Sequence, residues 1–323
     1  MKGKMQPPPK GVRSPSTVNP TDITTVYTVP NYCFRDETDV IVFNGYDIGK
    51  EIGRGGFSTI YKAKNIKTGK LAAVKLVEVG NDQSRIDAMK NEIFIMEMMD
   101  NMFTIKLYLH FMINESLFII MQFADAGCFS SFVEKEAPMS ESLASRFFGQ
   151  MIVGIEHLHD MSIAHRDIKP GNFLMTDHKG ERIILVADYG LSRLCKRDEK
   201  GHVKLYSSRC GTPAFMAPEV LAEKDYNPFQ YDVWSLGITL FSMLNCIGPF
   251  DYEADDYGLE QMQRKQWRFT HNMRSSPGHH LTDLMNRILD PNFHSRITIK
   301  SISNHDWLRS DYMRAKKLEK AHK

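Results

Sequence analysis

The sequence predicts an α+β chain of two lobes: a small antiparallel β lobe with one helix, then a larger, mainly helical lobe. Three observations predict it. Residues 46–77 read strand, turn, strand, turn, strand, and a stretch of helical spacing follows. From Ser140 onward the apolar residues recur mostly at helical spacing. Inside that second region lies a polar loop, His165-Arg166-Asp167-Ile168-Lys169-Pro170-Gly171-Asn172, flanked by apolar runs and followed by Asp188-Tyr189-Gly190. A chain of 323 residues fits one large domain or two lobes, with ample material for a buried core.

Bulk properties exclude several classes. A net charge of +2 gives no basis for a nucleic-acid partner, which calls for a locally basic surface. Cys33, Cys128, Cys195, Cys210 and Cys246 are odd in number, widely spaced and contain no C-x-x-C pair, against a disulfide framework or a zinc site. That usage fits a reducing compartment, so the expected location is cytoplasmic with access to the nucleus. Met1 to Lys10 is polar and proline-rich, unlike a secretory signal. Val233 to Phe250 is uncharged and near spanning length, but Ser235, Gly237, Ser242, Asn245, Gly248 and Pro249 interrupt it. It is expected to be a buried helix ending near Gly248-Pro249, with no membrane partner.

In chain order, residues 1–44 are rich in Pro, Thr and Ser and show no period, so a disordered arm is expected, with Val40 to Phe43 its one candidate strand. Ile48 to Ile52 leads into Gly53-Arg54-Gly55-Gly56-Phe57-Ser58, and Thr59 to Ala63 leads out. A glycine run between two strands, with no helix after it, favours a thin flap over phosphates and argues against a dinucleotide fold. After the Thr68-Gly69 turn, Leu71 to Val77 reads as a third strand containing Ala73-Val74-Lys75. A helix over Arg85 to Met99 carries Ile86, Met89, Ile93 and Met96 on one stripe, with Glu92 at its edge. A carboxylate there needs a partner, because leaving it desolvated and unpaired is costly. Strands are expected at Phe103 to Leu107 and Leu117 to Phe123, then a hinge at Ala124-Asp125-Ala126-Gly127. Ser140 is the expected N-cap of a long helix with the stripe Leu143, Phe147, Met151, Ile155 and Leu158. Past it, two short strands bring Asn172 and Asp188 toward one point, a hard-oxygen pair suited to Mg²⁺ with phosphates attached. Asp167 is free to meet a hydroxyl, and Lys169 to neutralise a moving phosphoryl group.

These residues resemble the protein kinase pattern H-R-D-x-K-x-x-N followed by D-F-G, over about residues 46–308. The resemblance implies a bilobal protein kinase fold: an N-lobe at 45–124 and a C-lobe at 125–308, after the 1–44 arm and before a basic tail at 309–323. It implies a serine/threonine kinase using ATP and Mg²⁺, with catalytic Asp167 and Lys169 and metal-binding Asn172 and Asp188. Nucleotide contacts would come from Ile52, Gly53, Arg54, Gly55, Gly56, Phe57, Ser58, Thr59, Ile60, Ala73, Leu174 and a Lys75–Glu92 pair. Met121 would be the gatekeeper, with the backbone of Gln122 and Ala124 meeting adenine. Asp232 would brace the catalytic loop, Arg296 would pair with Glu219, and Tyr189 would stack between His165 and Met96 in a column with Leu107. Thr212, in Gly211-Thr212-Pro213, marks the serine/threonine class. Implied partners are a protein substrate and an activating kinase acting on Ser208, whose phosphate would meet Arg166 and Arg193; a monomer is expected.

Within the superfamily the chain is similar to the calcium/calmodulin-type group. Leu194 to Leu205, and Tyr226-Asn227-Pro228 through Gly237, resemble the testis-specific serine kinases. It departs from the common pattern at Ser58 for glycine, Gly171 for glutamate and Tyr189 for phenylalanine. The rival reading is a pseudokinase scaffold, whose mark would be loss of Lys75, Asp167 or Asp188; all three are present. The positions where arginine-directed kinases place carboxylates hold Cys128, Gly171 and Ser242, so weak selection for arginine before the target residue is expected, unless Asp125, Glu134 or Glu136 substitutes.

Overall fold

A computed structural model of the chain describes residues 33–35, 40–43 and 45–322, apart from 57, 114, 200–201, 255 and 271–272. The smaller lobe contains β1 (Cys33–Arg35), β2 (Val40–Phe43), β3 (Tyr46–Arg54), β4 (Ser58–Asn65), β5 (Leu71–Glu78), α1 (Gln83–Met98), β6 (Leu107–Ile113) and β7 (Ser116–Gln122). The strands form one antiparallel sheet in the order β1-β2-β3-β4-β5-β7-β6. The candidate strand Val40 to Phe43 is β2, while β1 was not expected within the arm, so the sheet begins ahead of residue 45; the rest of that arm lies outside the described residues. Ile48, Ala63, Ala72, Val74, Phe111 and Ile120 form a small cluster of their own, while Val77, Leu117 and Ile119 join Ile93 and Met96 of α1 in the main core.

Local chemistry sets the bounds. Asn65 Oδ1 accepts Lys67 N at 3.1 Å and Thr68 N at 2.9 Å, and Gly69 takes φ +71°, which closes the β4–β5 turn. Asp82 caps α1 by accepting Arg85 N at 3.2 Å, so the helix starts at Gln83 rather than Arg85. The strand expected over Phe103 to Leu107 is not formed. Phe103 and Ile105 are buried because this loop docks on the larger lobe, where Thr104 bridges Val186; the ladder begins only at Leu107.

The larger lobe holds β8 (Gly127–Cys128), α2 (Phe129–Glu136), α3 (Glu141–Asp160), β9 (Ile163–Ala164), β10 (Phe173–His178), β11 (Glu181–Val186), β12 (Arg193–Leu194), α4 (Pro218–Leu221), α5 (Pro228–Asn245), α6 (Leu259–Gln263), α7 (His279–Ile288), α8 (Ile299–Ser303) and α9 (Arg309–His322). Ser140 caps α3 as expected, accepting Leu143 N at 3.3 Å. α5 runs through the core and stops at Cys246, in the left-handed region at φ 63°, just ahead of Gly248-Pro249. No helix among the described residues is long and apolar enough to cross a membrane. The basic tail expected after residue 308 is the helix α9, laid along α3 with Ala315 fully covered. A Cβ on Gly149 of α3 would stand 2.9 Å from the Asp311 carbonyl carbon, a measure of how closely the two helices approach.

Candidate active site

The 165–172 loop leaves β9 and returns through a 3₁₀ turn, Pro170–Asn172, into β10. Its backbone is held by Asp232, which is fully buried in α5. Asp232 Oδ2 accepts His165 N at 2.8 Å and faces His159 Nε2 at 2.9 Å, while Oδ1 accepts Arg166 N at 2.8 Å. Three ligands satisfy the carboxylate and fix a loop in which Arg166 takes a left-handed φ of 64°.

That loop gathers the expected catalytic residues. Lys169 Nζ lies 2.9 Å from Asp167 Oδ2, and Asn172 Nδ2 donates to the same oxygen at 2.9 Å and to Asp167 O at 2.8 Å. Thr212 joins them from the stretch between Asp188 and Glu219, which the resemblance implies is an activation segment, donating to Asp167 Oδ1 at 2.8 Å and accepting Lys169 Nζ at 2.7 Å. Burial alone would raise the Asp167 pKa, but the bonds from Lys169, Thr212 and Asn172 prevail and hold it below the usual aspartate value. Sequence reasoning had used Thr212 only as a class marker; its place after Gly211 was the available signal.

The second cluster pairs the lobes. Lys75 Nζ meets Glu92 Oε1 at 2.6 Å, joining β5 to α1. Burial works against the Lys75 charge, yet Glu92 and Asp188 outweigh it and raise its pKa. Asp188 sits at φ 61°, and a Cβ on Gly190 would stand 3.4 Å from Asp188 Oδ1 and 3.7 Å from Glu92 Oε2, so the turn closes tightly against α1. Tyr189 is fully buried beside His165 at 5.8 Å between ring centroids, with Met96 and Leu107 in the same core. Its extra hydroxyl donates to Val186 O at 2.9 Å, which the sequence did not reveal.

The expected metal pair offers oxygen donors: Asn172 gives its amide protons to Asp167, which leaves its side-chain oxygen free to join the Asp188 carboxylate as a ligand. Among the described residues no cluster of three or more His, Cys, Asp or Glu could hold a metal alone. Two oxygen donors with phosphates completing the shell fit a hard cation of the Mg²⁺ kind.

Around the cleft, Gly53 pairs with Ile60 and Ile60 with Lys75, so the flap's strands register directly on the lysine strand. Gly55 N donates to Ser58 O at 2.7 Å, closing the flap tip. Ile52 is exposed, and the Arg54 guanidinium turns outward to Glu51 at 2.6 Å. Thr59 lies in the same strand as Ile60, and Phe57 lies outside the described residues. Ala73 pairs with Met121, Gln122 N donates to Lys106 O at 2.8 Å, Gly127 N donates to Ala124 O at 3.3 Å, and Leu174 pairs with Cys128.

In the activation segment, Arg166 donates to Leu191 O at 3.0 Å, Ser208 Oγ at 3.3 Å and Tyr226 OH at 3.4 Å, and lies over the Tyr206 ring at 5.5 Å. Tyr206 and Tyr226 also exchange backbone bonds at 2.9 and 2.8 Å. This tyrosine strap was not read from the sequence. Arg193 donates instead to Ser192 O at 3.3 Å. Glu219 and Arg296 form the expected pair, bidentate at 2.7 and 2.9 Å, with Arg296 5.0 Å from the Trp234 ring. Cys128 and Gly171 adjoin, thiol to carbonyl at 3.5 Å, while Ser242 donates to Thr239 O at 2.8 Å. Asp125 is taken up by Thr176 Oγ1 at 2.8 Å and Asp177 N at 3.0 Å.

The protein kinase domain profile matches residues 46–308. Curated relatives include CBL-interacting protein kinase 26 of Oryza sativa subsp. japonica, 32% identical over 85% of this chain and 54% of its own length. CBL-interacting serine/threonine-protein kinase 20 of Arabidopsis thaliana is 32% identical over 88% of this chain and 62% of its own. CBL-interacting serine/threonine-protein kinase 8 of the same plant is 34% identical over 83% of this chain and 58% of its own. The chain therefore spans between half and two thirds of the length of these relatives. They are not testis-specific serine kinases, so the finer likeness drawn from Leu194 to Leu205 is not carried by them.

Proposed function

The chain belongs to the protein kinase domain family, and from that premise we propose that it transfers the γ-phosphoryl group of ATP to serine or threonine hydroxyls of proteins. The observation that carries this is the closed ring of Asp167, Lys169 and Thr212, set beside an intact Lys75–Glu92 pair. A catalyst of a loose, highly charged transition state needs mainly positioning and charge compensation. Asp167, held ionised, accepts the hydrogen bond of the incoming hydroxyl and aims its oxygen. Because its basicity is low, it takes the proton only after that oxygen has begun to bond to phosphorus. Lys169 sits beside it to offset charge on the moving group, and Lys75 holds phosphates from the other lobe. Asn172 and Asp188 would hold Mg²⁺, which when bound supplies charge neutralisation at the phosphate oxygens.

The partner reading extends from the same site. A second kinase acting on Ser208 would place its phosphate against Arg166, and the likeness to calcium/calmodulin-type kinases is supported by the sequence stretches Leu194 to Leu205 and Tyr226 through Gly237. A cytoplasmic site of action follows only from the cysteine usage.

Asp167→Asn tests the proposal. Phosphoryl transfer to a serine peptide should vanish while nucleotide affinity stays near wild type, since Asp167 faces the acceptor side. Retention of more than about a tenth of wild-type turnover would sink the assignment. Lys75→Met should lower activity through misplaced phosphates, and unchanged turnover there would count against the Lys75–Glu92 pair.

A further inference from the structure

An unbroken line of hydrogen bonds ties the Asp188 turn to the last helix. At the turn, the Tyr189 hydroxyl, an atom that phenylalanine would lack, donates to Val186 O at 2.9 Å. The same oxygen accepts Ile105 N at 2.9 Å, and Val186 N donates to Phe103 O at 2.8 Å. Phe103 N donates to Asn101 Oδ1 at 2.9 Å, while Thr104 N and Oγ1 reach Asn101 O at 3.2 and 3.0 Å. The remaining group of Asn101, its amide nitrogen, donates to Glu319 Oε1 of α9 at 2.6 Å.

Glu319 is only 7% exposed, and its other oxygen meets Lys316 at 2.6 Å. A carboxylate is costly to bury unless its oxygens are matched, and here Asn101 and Lys316 match both. Helix α3 gives way at two glycines to let this line form. A Cβ on Gly154 would stand 2.7 Å from Val186 Cγ2 and 3.0 Å from Phe103 O, and one on Gly149 would collide with the Asp311 backbone. Tyr312 donates to Glu156 and Ser145 to Asp311, so α9 is fastened to α3 along its first turns as well. On the outer side of the 101–105 loop the packing is open: a cavity of about 380 Å³ lies between Asn101, Lys106, Gln122, Thr176 and Glu319. Glu319 is thus the support the loop has at that edge. The loop follows directly on α1, whose Glu92 holds Lys75.

We propose that Glu319 is a positioning residue. Through Asn101, Val186 and the Tyr189 hydroxyl, α9 fixes the Asp188 turn and the end of α1 in the arrangement where Lys75 meets Glu92. The kinetic part of this inference rests on the kinase reading; the structural part does not.

The test uses the full chain, with amide hydrogen exchange and steady-state kinetics on Glu319→Ala, Glu319→Gln, Asn101→Ala and Tyr189→Phe. Glu319→Ala should speed exchange of the Phe103, Thr104, Ile105 and Val186 amides about ten-fold relative to the larger lobe, and lower kcat about ten-fold, the lower end of what loss of one hydrogen bond to a charged group supports. Glu319→Gln keeps the oxygen that Asn101 uses and should restore most of both. Combined with Tyr189→Phe, Glu319→Ala should cost less than the product of the two single effects, because the second cut falls on a line already severed. Asn101→Ala severs the line from the other end and serves if the Glu319 variants fold poorly. Exchange unchanged at those four amides overturns the proposal, as does exchange raised evenly across the lobe or kcat unmoved while they open. A wild type without kinase activity would remove the proposed function but leave the exchange comparison to decide this one.

Discussion

Thr212→Val isolates the contact that most distinguishes an assembled catalytic loop from a merely folded one. Valine keeps the branched shape and removes the hydroxyl that donates to Asp167 Oδ1 at 2.8 Å and accepts Lys169 at 2.7 Å. Hydrogen bonds to charged groups contribute about 1.5–3 kcal/mol, which corresponds to about 10- to 150-fold in rate. Asp167 keeps Lys169 and Asn172, each at 2.9 Å, so the lower part of that range applies. The expected loss is about 10- to 30-fold in kcat. KM for ATP should stay within about two-fold, because Thr212 touches the acceptor-side cluster and not Lys75 or Asp188. Initial rates with a serine peptide at saturating ATP measure the first quantity, and equilibrium nucleotide binding confirms that the fold survives. Thr212→Ser, which keeps the hydroxyl, should recover to within about three-fold of wild type. Valine and serine variants of equal activity would refute the assigned role of the hydroxyl.

Three further outcomes follow from the same geometry. Arg296→Ala strands a buried Glu219 carboxylate, a loss of about 3–5 kcal/mol, so the melting temperature should fall by about 6–20 °C; a shift below about 3 °C would place the pair among minor contributors. Gly211→Ala should abolish measurable activity or solubility, because at φ 108° its Cβ would stand 2.2 Å from Tyr231 OH and 2.7 Å from Arg166 O; a folded, fully active alanine variant would contradict that packing. The Asp167 carboxyl titrates below its ordinary value, so its stabilising contribution is complete above the unfolded pKa and disappears as pH falls through the lower folded one. The kcat/KM profile of the wild type should therefore show no acid limb from Asp167 above about pH 5, and Thr212→Val should move that limb upward.

What was legible in the sequence divides along physical lines. The catalytic loop was readable because short spacing sets three side chains within one polar loop, and Glu92's need for a partner because it stands on the edge of an apolar stripe; that the partner is Lys75 came from the family resemblance. Phe103 to Leu107 misled because an apolar run records burial, not the partner that supplies it. That run is buried by docking on β11, not by a sheet ladder. The seating of the tail was not legible for a related reason. Its composition is basic, as expected, and Arg314 reaches Glu181, but it is also held by Asp311, Tyr312 and Glu319. Nothing local announces that these face Ser145, Glu156 and Asn101, far away in the chain. Thr212 and Tyr226 were present in recognisable neighbourhoods, but their bonds to Asp167 and Arg166 depend on the path of the activation segment, which spacing does not encode.

Arg166 shows how such a path creates a demand for charge. Its guanidinium is buried, and among the described residues each of its side-chain hydrogen bonds ends on a neutral oxygen: Leu191 O, Ser208 Oγ or Tyr226 OH. Burial opposes the charge, but Cys210, Tyr226 and Asp232 nearby outweigh it and raise the guanidinium's pKa, and the Tyr206 ring face adds to the same side. The carboxylate of Asp232 is committed to the backbone of the same residue, so it does not close the guanidinium's own shell. A phosphate on Ser208 would add two negative charges where a hydroxyl oxygen already lies 3.3 Å from Nη1. The Tyr206 hydroxyl is not placed as well: Tyr206 presents its ring face to Arg166, and its hydroxyl points to Leu194 O at 3.5 Å. The geometry therefore favours Ser208 over Tyr206 as the residue whose phosphate would stiffen the segment, with Arg166 already bonded to its hydroxyl while Arg193 donates to Ser192 O.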